Sequence, residues 1–378
     1  MIKRLTFFLR VPVLLLLGTV YVVARLFTGL PTIELRTAFV IGMALVYFIM
    51  IAGFMFRHDI STPKTDRIAW VSFTFLGFFS WLFVLTVLRD ALLLLSFFSP
   101  ENWYLSMQQY SVWGVLGLSV IATLLGVFNA RRTPAIVKVN IPLAAQHSAL
   151  NGFTIAQISD LHVGPTIKKD FVKKVVAATN ALQADVIVLT GDLIDGDVAG
   201  LQEHTNELAA LSAPHGVFAV TGNHEYYSGA DQWIAEYRRL GMRVLQNEHA
   251  LIQHGEATLV MAGVTDFGAG KFDSAQSSDP QLALANSPAD ATFKLLLAHQ
   301  PRSMFAAEPA GFDLQLSGHT HGGQFWPWGY FVPLQQPLIA GLHTYGKLQV
   351  YVSQGTGYWG PPLRLGAKSE ISLIRLHR

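Results

Sequence analysis

Asp, His and Asn residues recur at the ends of short apolar runs in the C-terminal two-thirds of the chain. They are Asp160 and His162, Asp192, Asn223 and His224, His299, and His319 and His321. Ligands of α/β proteins bind at the carboxyl edges of the strands, and carboxylate, amide and imidazole groups suit divalent transition metals. One such motif arises readily by chance, but five in succession predict a metal centre. The chain contains no cysteine, so thiolate ligands and a cysteine nucleophile are excluded.

The apolar runs themselves predict an α/β domain over residues 136–378. Residues 136–141 and 153–159 are typical of strands, and residues 167–182 of an amphipathic helix that carries its lysines on the polar face. Further strand-like runs cover residues 186–189, 217–220, 259–264, 293–298, 312–316 and 348–352. The metal-ligand motifs lie at the ends of these runs.

The N-terminal region, residues 1–132, has a different character. Apolar runs at about 11–30, 37–56, 68–88 and 109–130 are long enough to cross a bilayer as helices, and we expect a bundle of about four. The first run could instead be a signal peptide, but no small-residue cleavage site follows it. We expect Arg89 and Asp90 to end the third helix and start an interfacial segment, although one longer tilted helix is the alternative.

Composition agrees with a membrane protein and argues against other classes. Apolar residues make up 51% of the chain and its mean hydropathy is +0.36, which excludes a disordered chain. The formal net charge of +2 gives no reason to expect nucleic acid as a partner, and no obligate protein partner is inferred. The lipid bilayer is the partner that the sequence indicates.

The distribution of basic residues predicts the orientation. Lys3, Arg4 and Arg10 precede the first run, Arg57, Lys64 and Arg67 separate the second and third, and Arg131, Arg132 and Lys138 follow the fourth. Basic loops face the cytoplasm. We therefore expect a multi-pass protein of the plasma membrane, the inner membrane of a bacterium, with its C-terminal domain in the cytoplasm.

The ordered motifs resemble the signature of the calcineurin-like metallophosphoesterase superfamily, which reads D-x-H, G-D-x-x-D, G-N-H-[DE], a lone His and G-H-x-H. The resemblance covers about residues 136–378 and implies a four-layer α/β/β/α sandwich with a two-metal centre. It implies that one ion is bound by Asp160, His162 and His321, the other by Asn223, His299 and His319, and that Asp192 bridges both. Two neighbouring cations need such a shared carboxylate to offset their repulsion.

The same resemblance implies a reaction. A hydroxide that bridges the two metals attacks phosphorus, and His224 acts as general acid to the leaving oxygen or as a charge stabiliser, with Glu225 as an orienting residue. A surface histidine in a turn is the alternative for His224. Asp195 is either the second acid of its motif or a loop hydrogen-bond acceptor, and we do not expect it to bind metal. Asp266 is a further candidate for a residue behind the ligands. Manganese is the expected metal, and iron and zinc are the alternatives.

Within the superfamily the chain is similar to bacterial membrane-attached phosphoesterases of the YkuE and YaeI type, a group similar to UDP-2,3-diacylglucosamine pyrophosphatases. The likeness lies in residues 157–162, 322–324, 355–357 and 362–364. It implies hydrolysis of a phosphodiester or pyrophosphate bond, with a lipid-linked or nucleotide-activated amphiphile as one candidate substrate. Arg364 could bind a second phosphate or carboxylate of the substrate, or form a salt bridge at the domain edge.

Three questions stay open at this level. The aromatic stretch 324–346 could cover the edge of the sheet, or form a rim that docks on the bilayer or holds acyl chains. The protein could be a membrane sensor or transporter with a regulatory metal domain, although the four apolar runs carry almost no charge to line a pathway. It could also be a phosphatase for soluble phosphoesters.

Overall fold

The computed structural model describes residues 2–55, 62–96 and 98–378, which divide into two compact units. One unit contains residues Met1–Phe128 and Gly360–Leu363, and the other contains Asn129–Trp359 and Arg364–Arg378. Arg57, one of the basic residues used for the orientation, and the predicted end of the second run at Phe56 lie outside the described residues.

The first unit contains the predicted apolar helices. They are α1 (Ile2–Phe27), α2 (Ile33–Met55), α3 (Pro63–Ser96) and α4 (Glu101–Arg131). Within the described residues, all four are long and apolar enough to cross a membrane. Val22, Leu26, Met50, Leu82 and Val112 form their shared core. Leu363 of the Gly360–Leu363 segment packs so closely against Gly77 and Gly126 that neither position has room for a side chain.

The expectation that Arg89 and Asp90 end the third helix is wrong, because α3 continues to Ser96. The Arg89 guanidinium is buried, and it donates hydrogen bonds to Ser111 Oγ at 2.8 Å and to the Gln108 carbonyl at 2.8 Å. Asp90 forms an ion pair with Arg25 at 2.7 Å. A charged pair is tolerated inside a long apolar helix when neighbouring helices supply its partners.

The second unit is built around two six-stranded sheets. The first has the order β1-β12-β2-β3-β4-β5 and the second the order β10-β11-β9-β8-β7-β6. The strands are β1 (Ala135–Pro142), β2 (Thr154–Ile158), β3 (Val186–Thr190), β4 (Val217–Val220), β5 (Arg243–Val244), β6 (Glu248–His254), β7 (Ala257–Gly263), β8 (Phe293–Leu297), β9 (Leu314–Ser317), β10 (Gly341–Tyr345), β11 (Leu348–Val352) and β12 (Glu370–His377).

Helices cover the outer faces of both sheets. They are α5 (Lys169–Asn180), α6 (Val198–Thr205), α7 (Asn223–Ser228), α8 (Ala230–Arg239), α9 (Pro280–Ala283) and α10 (Met304–Ala310). Alternate strand residues face different cores: Val186 and Val188 lie between the sheets, whereas Ile187 packs with the helical layer. A separate core joins the second sheet to its own helices. The predicted four-layer α/β/β/α architecture is therefore confirmed.

The topology brings the motif-bearing strand ends together. In the first sheet β2, β3 and β4 are parallel neighbours, and in the second β8 and β9 are parallel neighbours. Because parallel strands end at the same edge, their following loops converge.

Candidate metal centre

The structure places every predicted ligand in the segment that directly follows one of these parallel strands. Asp160 and His162 follow β2, Asp192 follows β3, Asn223 follows β4, His299 follows β8, and His319 and His321 follow β9. Their ligand atoms form overlapping clusters that could hold a metal ion.

The first cluster contains Asp160, His162 and His321. The Nε2 atoms of His162 and His321 lie 3.0 Å apart, and His321 Nε2 lies 3.6 Å from Asp160 Oδ1. Asp192 Oδ2 lies 4.0 Å from His162 Nε2. These four side chains thus point their donor atoms at one small volume.

The second cluster contains Asp192, His299 and His319. His299 Nε2 is 3.1 Å from Asp192 Oδ2 and 3.1 Å from His319 Nδ1. Asn223 Oδ1 is buried, and no hydrogen-bond donor among the described residues reaches it. Burying an amide oxygen without a donor is costly, whereas a cation would satisfy it. The Asp192 carboxylate lies within reach of both clusters.

Acceptor groups behind His299 and His162 fix which nitrogen of these two imidazoles faces the centre. His299 Nδ1 donates to the Thr190 carbonyl at 2.8 Å, which leaves the Nε2 lone pair directed inward. His162 Nδ1 donates to Asp195 Oδ1 at 3.1 Å. Metal-binding histidines are commonly oriented in this way. The residues present therefore fit a centre for two divalent ions.

The loop backbones adopt conformations that only a constrained site maintains. Asp160, His162, Asp192, His319 and His321 all have positive φ angles, between 52° and 73°. Such residues cost about 1 to 3 kcal/mol each and cluster at functional sites.

Two motif glycines are required because the loops approach too closely for any side chain. A Cβ at Gly318 would lie 2.0 Å from Ser159 Oγ and 2.2 Å from Asp160 Oδ2, and one at Gly222 would lie 2.2 Å from Asp192 Oδ1. These contacts explain physically why Gly precedes the ligand-bearing residue in the G-N-H and G-H-x-H motifs.

Glu225 organises the loops after β3 and β4. Its buried carboxylate accepts hydrogen bonds from the backbone N–H groups of Gly222, Asp192 and Leu193 at 2.6, 3.0 and 2.8 Å. It also accepts the hydroxyl of Tyr237 at 2.8 Å. The orienting role expected for Glu225 thus acts through the backbone, and Tyr237 is a partner that the sequence motifs did not reveal.

His224 lies beside these two clusters, and it forms a third group of possible ligand atoms with His162 and Asp192. Its Nδ1 donates to Asp195 Oδ1, and its Nε2 lies 3.9 Å from Asp192 Oδ2. His224 is buried, so the alternative of a surface histidine in a turn is wrong. Asp195 Oδ1 therefore joins His162 and His224, a shared role that spacing along the chain did not predict.

Burial and neighbouring charges shift the pKa values of the histidines in the site. Burial lowers the pKa of His224, but the carboxylates of Asp192 and Asp195 outweigh it and raise that pKa to about 9. Burial and the neighbouring His299 lower the pKa of His319 to about 3. The imidazole of His319 is therefore neutral at neutral pH. Burial lowers the pKa of His299 too, but the Asp192 carboxylate outweighs burial and raises that pKa well above its ordinary value. A cation that binds to His299 must therefore displace a proton.

Arg364 makes neither of the contacts considered from the sequence. Its guanidinium is buried and donates to the carbonyls of His321 and Gln354 at 2.8 Å each and to the carbonyl of Gly357. It therefore holds the last ligand loop in place and is turned away from solvent. Asp266 accepts hydrogen bonds from Gln300 Nε2 at 2.9 Å and from Gly268 N at 2.6 Å.

Comparisons with known proteins agree with this geometry. Residues 153–323 match the family described as calcineurin-like phosphoesterase. The chain is similar to a transmembrane protein with metallophosphoesterase domain from Danio rerio, with 34% identity over 69% of this chain and 62% of that protein. It is also similar to an uncharacterized metallophosphoesterase of Campylobacter jejuni, with 33% identity over 68% of this chain and 67% of that protein.

A third relative, the uncharacterized metallophosphoesterase YkoQ of Bacillus subtilis, is 28% identical over 69% of this chain and 98% of its own length. The chain thus spans less than two-thirds of the Danio rerio relative but nearly all of the Bacillus subtilis one. With the complete set of signature residues at the carboxyl ends of strands from both sheets, these matches show that the chain belongs to the calcineurin-like metallophosphoesterase family.

Proposed function

We propose that this chain is a membrane-anchored hydrolase of phosphodiester or pyrophosphate bonds that uses two divalent metal ions. The observation that carries the proposal is the position of the Asp192 carboxylate, which lies within reach of two ligand clusters. Asp160, His162 and His321 would hold one ion, and Asn223, His299 and His319 the other.

When bound, the ions would polarise the phosphoryl oxygens and lower the pKa of the attacking water. The residues of the chain supply the remaining functions. The Asp192 carboxylate would offset the repulsion between the cations, and His319, as a neutral imidazole, would leave their charge undiminished. His224, held by Asp195, presents Nε2 toward the centre and would donate a proton to the leaving oxygen.

Manganese is the metal that we propose. Four imidazoles, two carboxylates and one amide oxygen form a mixed nitrogen and oxygen set, which suits manganese, iron or zinc better than calcium.

The surroundings of His224 favour an amphiphilic or nucleotide-activated substrate. Tyr227 and Trp359 are 57% and 46% exposed, and their ring centroids lie 5.2 and 5.9 Å from that of His224. Exposed aromatic rings beside the proposed proton donor would contact an apolar or planar leaving group.

The four apolar helices serve as an anchor in this proposal, and the basic loops favour a cytoplasmic catalytic unit. A reporter that is active only outside the cytoplasm, fused after Arg378, should therefore stay inactive. Reporter activity there would reverse the orientation.

A transport or sensor function has weaker support. Among the residues of the four apolar helices whose burial the structure describes, the buried charged side chain is that of Arg89, and it already donates to Ser111 and to main-chain carbonyls. Such a residue ties helices together, and its charge is not free to bind a transported ligand.

The proposal can be tested with the purified full chain, supplied with Mn²⁺, on bis(p-nitrophenyl) phosphate, p-nitrophenyl phosphate and a sugar nucleotide with and without acyl chains. We expect hydrolysis of the diester and of the acylated sugar nucleotide. Asp192→Asn should abolish it, whereas Asp197→Asn, a conservative change at an exposed helix cap, should not. Hydrolysis of the monoester alone would favour a phosphatase for soluble phosphoesters, and no hydrolysis would contradict the proposal.

A further inference from the structure

An exposed apolar surface lies close along the chain to the last pair of ligands. The 3-10 helix Trp328–Leu334 has none of its residues buried. Tyr330, Phe331 and Leu334 are 75%, 53% and 84% exposed, and we call these three residues the apolar tip. Clustered exposure of large apolar side chains marks a surface that meets another phase or partner.

The sequence around the apolar tip carries no charge. Residues 314–346 contain no Asp, Glu, Lys or Arg, and the nearest charged residues along the chain are Asp313 and Lys347. Solvated surfaces are normally rich in charged residues, whereas aromatic and apolar residues are favoured where lipid meets water. The composition therefore favours a lipid interface over water.

Hydrogen bonds hold residues 335–339, which follow the apolar tip and which we call its base. The buried side chain of Gln336 donates to Gln300 Oε1 at 2.9 Å, and the Thr320 hydroxyl donates to the Ile339 carbonyl at 2.5 Å. Arg302 donates to the carbonyl of Gln335. Gln300 and Thr320 directly follow the proposed ligands His299 and His319, so the base belongs to the same loops as the metal centre.

A bilayer is the partner that we infer for the apolar tip, because the chain carries its own apolar helices of spanning length. Helix α4 ends at Arg131 and β1 begins at Ala135, so only three residues separate an apolar helix of spanning length from the first strand. Near the other end of the unit, Trp359 is followed directly by Gly360–Leu363, which belongs to the helical unit. Two short covalent connections keep a lipid surface at high effective concentration.

We propose that the apolar tip inserts into the headgroup region of the membrane that anchors the chain. Tyr and Phe side chains would lie at the level of the headgroups, with Leu334 directed toward the acyl chains. The consequence is that the loops of the metal centre are held at the membrane surface, where an amphiphile is available without leaving the bilayer. Docking does not depend on catalysis, so it can be tested separately from the proposed function.

The absence of cysteine from the chain permits a direct test. Tyr330→Cys and Leu334→Cys each create one site for a nitroxide spin label, in the full chain reconstituted at one copy per lipid nanodisc. Leu282→Cys is the matched control, because Leu282 is also an apolar residue, 54% exposed, in the same unit. The measurement is the collision rate of each label with oxygen, which concentrates in lipid, and with a water-soluble nickel chelate.

The quantity compared is the ratio of the collision rate with oxygen to the collision rate with the nickel chelate. We expect this ratio to be about tenfold higher at positions 330 and 334 than at position 282. Equal access of the chelate to all three labels would overturn the proposal. Exclusion of both reagents from positions 330 and 334 would overturn it as well, because it would mean that protein covers the surface. Thermal unfolding of each labelled chain, compared with the unlabelled chain, checks that the fold is retained.

Discussion

Replacing His224 by Ala tests the assignment of the leaving-group acid. His224 Nε2 lies 3.9 Å from the carboxylate that both clusters share, and its Nδ1 is held by Asp195. Removing a positioned proton donor typically costs about 10²- to 10⁴-fold in rate, which corresponds to about 3 to 5 kcal/mol of transition-state stabilisation. We expect a loss of this size in kcat for a diester with an alkyl alcohol as leaving group.

For a p-nitrophenyl ester, whose leaving group departs without a proton, the loss should fall to about tenfold or less. The assay compares both substrates with the purified wild-type and variant chains, and measures their metal content by elemental analysis. His377→Ala, which removes an exposed imidazole from the last strand, should change neither rate nor metal content.

Two results would refute the reasoning about His224. Equal losses for both leaving groups would mean that His224 stabilises charge or positions the substrate. A loss of bound metal would mean that His224 is itself a metal ligand. The geometry permits this, because His224 forms a group of possible ligand atoms with His162 and Asp192.

Two further predictions concern the framework of the site. Glu225→Gln should lower the free energy of unfolding by about 3 kcal/mol or more, because four donors face the buried carboxylate and an amide cannot accept from all of them. Tyr237→Phe removes one of these donors and should lower the free energy of unfolding by about 1 kcal/mol. Thermal unfolding measures both effects. Gly318→Ala should lower the metal content, because its Cβ would lie 2.0 Å from Ser159 Oγ. Gly117→Ala should leave the metal content unchanged, because its Cβ would meet no described atom within 4 Å beyond its chain neighbours and its own helix backbone.

The sequence predicted the strand ends because the relevant interactions are local. Apolar runs define β2, β3, β4, β8 and β9, and the polar residues directly after them become the ligand loops. Parallel pairing of neighbouring strands then brings the loops together within each sheet. The two sets of loops meet because the sheets pack against each other through a shared core, which the strand pattern alone does not reveal.

The interactions that the sequence did not reveal depend on residues far apart in the chain. Asp195 is shared by His162 and His224. Arg364 contacts main-chain carbonyls and the imidazole of His321. Neither set of contacts can be read from the spacing of the residues along the chain. The expected end of the third helix was wrong for the same reason, since the partners of Arg89 come from other helices. The strand β12 was missed too, and it lies between β1 and β2 although it ends the chain.

The central claim, a two-metal centre bridged by Asp192, is tested most directly by counting metal ions in the purified full chain. Elemental analysis of chains loaded with Mn²⁺ and freed of excess metal should find about two ions in the wild type and in Asp197→Asn. Asp192→Asn should lose both ions to a large extent, because its carboxylate is the ligand that the clusters share. A single ion in the wild type, or two ions retained in Asp192→Asn, would contradict the account.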